Sequence, residues 1–140
     1  MRLVVQRVKK AKVGKALIGA GYLVLLGVGK GDSVDGAKAL ADKLLKLRVM
    51  ADDKDKMNLS IGDAKGEILV VSQFTLHADT TGGNRPSFIK AADPKLAKEV
   101  YEYFVSELRK SGVPVQTGTF GNYMEIEAIL DGPVTILYLD

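Results

Sequence analysis

Two stretches of this chain repeat their apolar residues at the helical interval, and the rest must be built from strands and turns. The first, "SVDGAKALADKLLKLRVM", gathers Ala37, Leu40, Ala41, Leu44, Leu45 and Leu47 on one side. The second, "DPKLAKEVYEYFVSELRKSG", does the same with Leu96, Val100, Tyr103, Phe104 and Leu108. Asp93 suits its cap, Pro94 its first turn, and Gly112 its stop. The other apolar runs alternate or are short and continuous, the marks of strands. The order reads β, β, α, β, α, β, β, β, without internal repeats. Two helices must then cover a larger β structure. The predicted fold is α+β (mixed α/β), one domain over residues 1–140, with a β-barrel-like or two-sheet core covered by two helices.

Along the chain, "RLVVQRV" alternates, with Leu3, Val5 and Arg7 on one face and Val4, Gln6 and Val8 on the other. Arg7 thus shares a face with two apolar residues. It either reaches solvent along its own stem or anchors backbone carbonyls near a site. "AKVGKALIGAG" reads as an irregular hairpin or loop, and "YLVLLGVGKGD" as a buried strand entering a turn, with Asp32 or Ser33 capping the first helix. "ADDKDKMNLSIGDAKGE" reads as polar loop, and "EILVVSQFTL" as a strand. "HADTTGGNRPSFIKAAD" reads as loop, carrying Phe88 beside Arg85. "YMEIEAIL" and "DGPVTILYLD" read as two strands with a turn between them.

Composition removes several classes of chemistry. The 140 residues contain no cysteine and one histidine, and the formal net charge is +3. Disulfides and thiolate metal sites are out. A mildly basic balance is compatible with a phosphate-bearing partner without requiring one. There is no arginine-rich run and no helix-turn-helix pattern, so reading of DNA is not expected. No run approaches a membrane span, and the start lacks the pattern of a secretion signal, so a cytoplasmic protein is expected. Asp52, Asp53 and Asp55 lack the glycine and distal glutamate of a calcium loop, and no metal is expected. "GVGKG" fails the phosphate-loop spacing, because Val24 stands where a glycine is needed and Gly31 follows Lys30. A serine triad would have to use His77, and no acid is placed to orient its ring.

Two elements are left. In "SQFTL", Ser72, Gln73, Phe74 and Thr75 end a buried strand in polar groups, where unpaired backbone N–H groups can stabilise an oxyanion without an ionisable side chain. In "DGPVT", Gly132-Pro133 marks a tight turn or strand start that cannot donate to a ladder. Either element can equally be satisfied structure.

Together they resemble the paired signature of the D-aminoacyl-tRNA deacylase family. The likeness extends through "VVQRV", "LLGVGKGD", "LRVM", "KMNLS", "GEILVVSQFTLHADT", "RPSF", "VYEYF", "TGTFG" and "DGPVTILYLD", in the family's order and spacing. The resemblance implies a homodimer with active sites at the interface, a D-aminoacyl-tRNA partner bound by its 3′ terminal adenosine, and no cofactor. The implied reaction is hydrolysis of the ester that joins a D-amino acid to tRNA, with glycine also accepted. Gly132 and Pro133 would enter the other subunit's pocket in the cis form. There their carbonyls would hold the α-amino group and exclude an L side chain, with Val134 and Thr135 beside them. Ser72, Gln73, Phe74 and Thr75 would line the pocket. The backbone at Phe74 and Thr75 would form the oxyanion site, with Thr75 as scaffold or, in the older alternative, nucleophile. The ribose 2′-hydroxyl would help activate water. Arg7 would steady the Gly-Pro turn, and Phe120 would lie near the adenine. The chain departs from the family in a short segment 9–21, in His77 where tyrosine is common, and in Asn84 where a second arginine is usual. A tRNA 3′-end binding module without turnover is the alternative function, and a nucleotide-binding protein using "GVGKG" a more distant one.

Overall fold

The computed structural model describes residues 1–139. Its elements are β1 (Arg2–Val13), β2 (Ala16–Ile18), β3 (Gly21–Gly27), α1 (Val34–Lys46), β4 (Met50–Ala51), β5 (Met57–Leu59), β6 (Glu67–Ser72), a 3-10 turn (Phe74–His77), α2 (Pro94–Lys110), β7 (Val115–Thr117) and β8 (Ile126–Tyr138). Six strands form one sheet in the order β2-β1-β3-β6-β7, with β8 on β1. β3, β6 and β7 run parallel, so α1 and α2 serve as the crossovers between them. The sheet curls into a nearly closed, barrel-like form, and the predicted α+β class is borne out. β4 and β5 form a separate two-stranded ribbon.

Alternation along the strands feeds two cores. Leu3, Val5, Tyr22, Val24, Ile68 and Val70 point to the helices and meet Ala41, Leu44, Phe104 and Leu108. Leu23, Leu69 and Val71 point the other way and meet Val8, Ala11, Val13 and Ile18. Each fully buried Leu, Ile or Phe adds about 1.5–3 kcal/mol by leaving water. The helices end as their sequences suggest. Ser33 accepts from Gly36 N at 3.3 Å, and Asp93 accepts from Lys95 N and Leu96 N at 3.0 and 3.2 Å. Such a cap contributes about 1 kcal/mol. Asp32 instead receives Gly29 N at 2.6 Å.

β1 serves both cores because its alternation is broken once. Val8 pairs with Leu130 and Lys10 with Ile129, which leaves Lys9 as an extra residue. That bulge lets Val8, Ala11 and Val13 face the same cluster despite their odd spacing.

Several sequence expectations are corrected. The "AKVGKALIGAG" segment is a hairpin of β1 and β2, the first of its two readings, but regular in register rather than irregular. The last two predicted strands are one, β8, which follows β1 on both sides of residues 131–134. Part of the polar segment after α1 pairs as β4 and β5. β6 stops at Ser72, four residues before the predicted strand end, because its parallel partner β3 ends at Gly27 and no ladder remains to extend.

Candidate active site

Where β6 stops, the chain folds back over the end of β3. Gln73 N donates to Leu26 O at 2.8 Å, and the 3-10 turn follows. Gly27 makes this approach feasible. A Cβ there would lie 2.8 Å from Gln73 O and 2.9 Å from Leu76 Cβ. His77 is 5% exposed, and its Nε2 is 3.1 Å from Gly27 O. It therefore pins the turn. Gln73 Nε2 donates to Thr75 Oγ1 at 2.5 Å. Among the described residues no base contacts that hydroxyl, which favours scaffold over nucleophile.

The turn leaves two donors over. Gln73 N goes to Leu26 O, Leu76 N to Gln73 O, and Ala78 N to Thr75 O. Among the described residues, the N–H groups of Phe74 and Thr75 have no acceptor. The first donors of any helical turn lack an internal partner, and here they sit beside a concavity.

Ser72 and Phe74 stand on the wall between two cavities. One, of 520 Å³, is also lined by Phe88, Phe120, Lys30 and Ala97; the other, of 230 Å³, by Gln73, Tyr123, Met124 and Ile126. Phe74 packs edge-on against Phe88 at 5.0 Å. Phe120 lies 5.5 Å from Tyr101, whose hydroxyl donates to Val70 O at 3.0 Å. Burial pushes the Tyr101 phenol up to about 12, so it stays a neutral donor that fixes this wall. A further cavity of 700 Å³ at the β1–β2 hairpin holds none of the expected site residues.

The loop that carries Phe88 is tied at its base. Asp79 accepts from Thr81 Oγ1 at 2.7 Å and Thr81 N at 3.0 Å, and pairs with Lys90 at 2.9 Å. Asp79 and Ser87 exchange backbone bonds at 2.8 Å. The Thr81 hydroxyl, the Lys90 ammonium and the Thr81 amide hold the Asp79 carboxyl well below the usual carboxylate range. A depressed folded-state value means this tie is present above the ordinary carboxylate pKa of about 3.9 and is lost as the pH falls through the folded value. Asp79→Asn is therefore expected to raise Thr81 amide exchange at pH 6, whereas the native loop keeps its protection down to about pH 4. Equal exchange in the two proteins at pH 6 would contradict the assignment.

The Gly132-Pro133 element lies elsewhere. Its peptide bond is cis, and Gly132 has φ +130°. Arg7, with 12% of its side chain exposed, faces it from β1. Its Nε donates to Asp131 O at 3.1 Å and lies 3.3 Å from Asp131 Oδ2, and its Nη1 donates to Val49 O at 2.8 Å. Of the two readings of Arg7, the carbonyl anchor is the observed geometry. Thr135 Oγ1 donates to Gln6 Oε1 at 2.7 Å, and Val134 packs on the helix-side core.

One protomer brings together Ser72, Gln73, Phe74, Thr75 and Phe120, and separately Arg7, Gly132, Pro133, Val134 and Thr135. It does not join the groups. Ser72 is level with Leu26 and Leu3, while Gly132 lies opposite Arg7, on the far side of β1. Three strand intervals and four residues of rise separate them by roughly 20 Å on an unrolled sheet. β8 also leaves Ile129, Leu130 and Leu137 at 57%, 45% and 56% exposure, although Val8, the β1 partner of Leu130, is buried.

Sequence reasoning missed Gly27, Tyr101 and the Val49 carbonyl. Only Gly27 carried a signal, as a glycine closing an otherwise continuous apolar strand. The acidic run is a turn, in which Asp52 accepts from Lys54 N and Lys56 N at 2.9 and 3.0 Å. Among the described residues no cluster of metal-ligating side chains is found, and no helix is long and apolar enough to cross a membrane.

Comparison with known proteins matches residues 4–139 to the family model described as D-Tyr-tRNA(Tyr) deacylase. A D-aminoacyl-tRNA deacylase of Deinococcus radiodurans is 54% identical, covering 97% of each chain. One of Fervidobacterium nodosum is 51% identical over 98% of this chain and 95% of the relative. A solved structure called c-Myc DNA Unwinding Element Binding Protein superposes with TM-score 0.94 at 38% identity, covering 100% and 99% of the two chains. A probable eukaryotic D-amino acid tRNA deacylase superposes at 0.81 with 16% identity, covering 98% and 97%, and speaks for the fold alone.

Proposed function

The chain belongs to the D-Tyr-tRNA(Tyr) deacylase family, and from that premise we propose that it hydrolyses the ester of D-aminoacyl-tRNA in a site shared by two copies. The supporting observation is the pair of unpartnered N–H groups at Phe74 and Thr75, beside a concavity that Phe74 lines and whose described lining holds no histidine, carboxylate or amine. Water adds to the ester carbonyl, and its oxygen becomes an oxyanion held by those N–H groups. The intermediate collapses, expels the terminal ribose oxygen, and releases a D-amino acid and tRNA. One such donor contributes about 3–4 kcal/mol to the transition state. The ester is already activated by its neighbouring ammonium, and the ribose 2′-hydroxyl helps activate the water, so neither a histidine nor a thiolate is needed.

The terminal adenosine lies in the aromatic cavity with Phe120. Gly132 and Pro133 of a second copy close the 230 Å³ cavity, their carbonyls receiving the α-ammonium, with Val134 and Thr135 behind them. A D side chain points away from this wall, and an L side chain collides with it. Glycine passes for lack of any side chain. The exposed apolar residues of β8 supply the dimer contact. The substrate places this work in the cytoplasm.

D-tyrosyl-tRNA is expected to be cleaved at least about 100-fold faster than L-tyrosyl-tRNA, an exclusion worth about 3 kcal/mol. Equal rates would remove the chirality filter. Binding of a non-hydrolysable analogue without cleavage of the D-ester would establish the binding-module alternative.

A further inference from the structure

Arg2 opens β1 directly opposite Gly27 of β3. Paired positions share a face of the sheet, and on that face the 3-10 turn lies over the bare glycine. Arg2 Nη1 reaches across it and donates to Leu76 O at 2.7 Å. The turn has three ties to the sheet. Gln73 N holds Leu26 O, and His77 Nε2 meets Gly27 O. These two attach to adjacent residues of one strand, and a body tied at two neighbouring points can still rock about the line between them. The Arg2 bond comes from a different strand, off that line, and removes the rocking freedom.

We propose that Arg2 is a positioning residue for ester hydrolysis, fixing the direction in which the Phe74 and Thr75 N–H groups point. This rests on the oxyanion role given to those groups above. Arg2 never touches substrate and acts through the Leu76 carbonyl. Its Nε is buried and, among the described residues, has no acceptor. An unsatisfied buried donor is costly, and a side chain kept only for packing would do better without one.

The test compares wild type, Arg2→Met and Arg2→Lys on D-tyrosyl-tRNA. Lysine retains a donor for Leu76 O and deletes the orphan Nε. Arg2→Met is expected to lower kcat roughly 10- to 100-fold, the effect of misplacing a reacting group by a fraction of an ångström to an ångström. KM should stay unchanged, and Arg2→Lys should recover most of kcat with at least wild-type thermal stability. If Arg2→Met does not fold, Arg2→Gln, too short to reach Leu76, takes its place with the same expected loss. A Met or Gln variant with wild-type kcat, a loss confined to KM, or an Arg2→Lys as slow as Arg2→Met overturns the proposal. An inactive wild type would instead overturn the deacylase reading.

Discussion

Gly132→Ala is expected to slow cleavage of D-tyrosyl-tRNA by at least about 100-fold while the protomer stays folded. Gly132 has φ +130°, and a Cβ there would lie 2.9 Å from both Val134 N and Val134 Cγ2, and 3.5 Å from an Arg7 nitrogen. That backbone region is essentially closed to residues with a side chain and costs about 1–3 kcal/mol when forced. The segment must therefore change shape, and Arg7, fastened to Asp131 O and Val49 O, resists a smooth shift. Because Gly132 is exposed at the sheet margin, the strain stays local, and circular dichroism should be native. The loss should appear in kcat/KM for the D-ester. An alanine variant with native activity would show that residues 131–134 are not part of the site.

Gly27→Ala attacks the other half of the site from behind. Its methyl would meet Gln73 O at 2.8 Å, Leu76 Cβ at 2.9 Å and His77 Cδ2 at 3.2 Å. Two of these are fixed by the main chain of the turn, so the turn must lift. Forcing a methyl into such a contact costs about 1–3 kcal/mol of stability. Tilting the Phe74 and Thr75 donors should cost roughly another 100-fold in kcat. Combining it with His77→Ala relieves only the third contact, so the double variant should not regain activity. Thermal melts and single-turnover rates on the D-ester separate the two effects. Recovery in the double variant would mean that the imidazole, not the backbone, transmits the damage.

The two helices, their caps and the alternating strands were legible because each follows from local spacing. Val100, Phe104 and Leu108 are buried as their period requires, and Ser33 and Asp93 cap as their side chains allow. The end of β6 was not legible, because it depends on where β3 ends, a pairing between distant segments. β8 likewise reads as two strands because Gly132-Pro133 looks like a break, whereas β1 continues alongside and rejoins the pairing beyond it. In the site, Ser72 through Thr75 and the Gly-Pro element were marked by residue types unusual for a strand. Tyr101 and the Val49 carbonyl were not, since a tyrosine in a helix stripe and a backbone oxygen look alike everywhere in a sequence.

The extra residue at Lys9 gives β1 something like a reading frame. Upstream of it, odd-numbered Leu3 and Val5 look toward the helices; downstream, odd-numbered Ala11 and Val13 look toward the opposite cluster. Deleting that one lysine would leave Val8, Ala11 and Val13 at the regular interval of two, still on one face, whereas deleting Lys10 as well would turn Ala11 and Val13 outward and bring Lys12 inward. Trimming the tip at Gly14 and Lys15 changes no orientation. Length variation in this part of the chain is thus tolerable at the hairpin's end, while at its root the bulge can lose one residue and no more without turning the strand over.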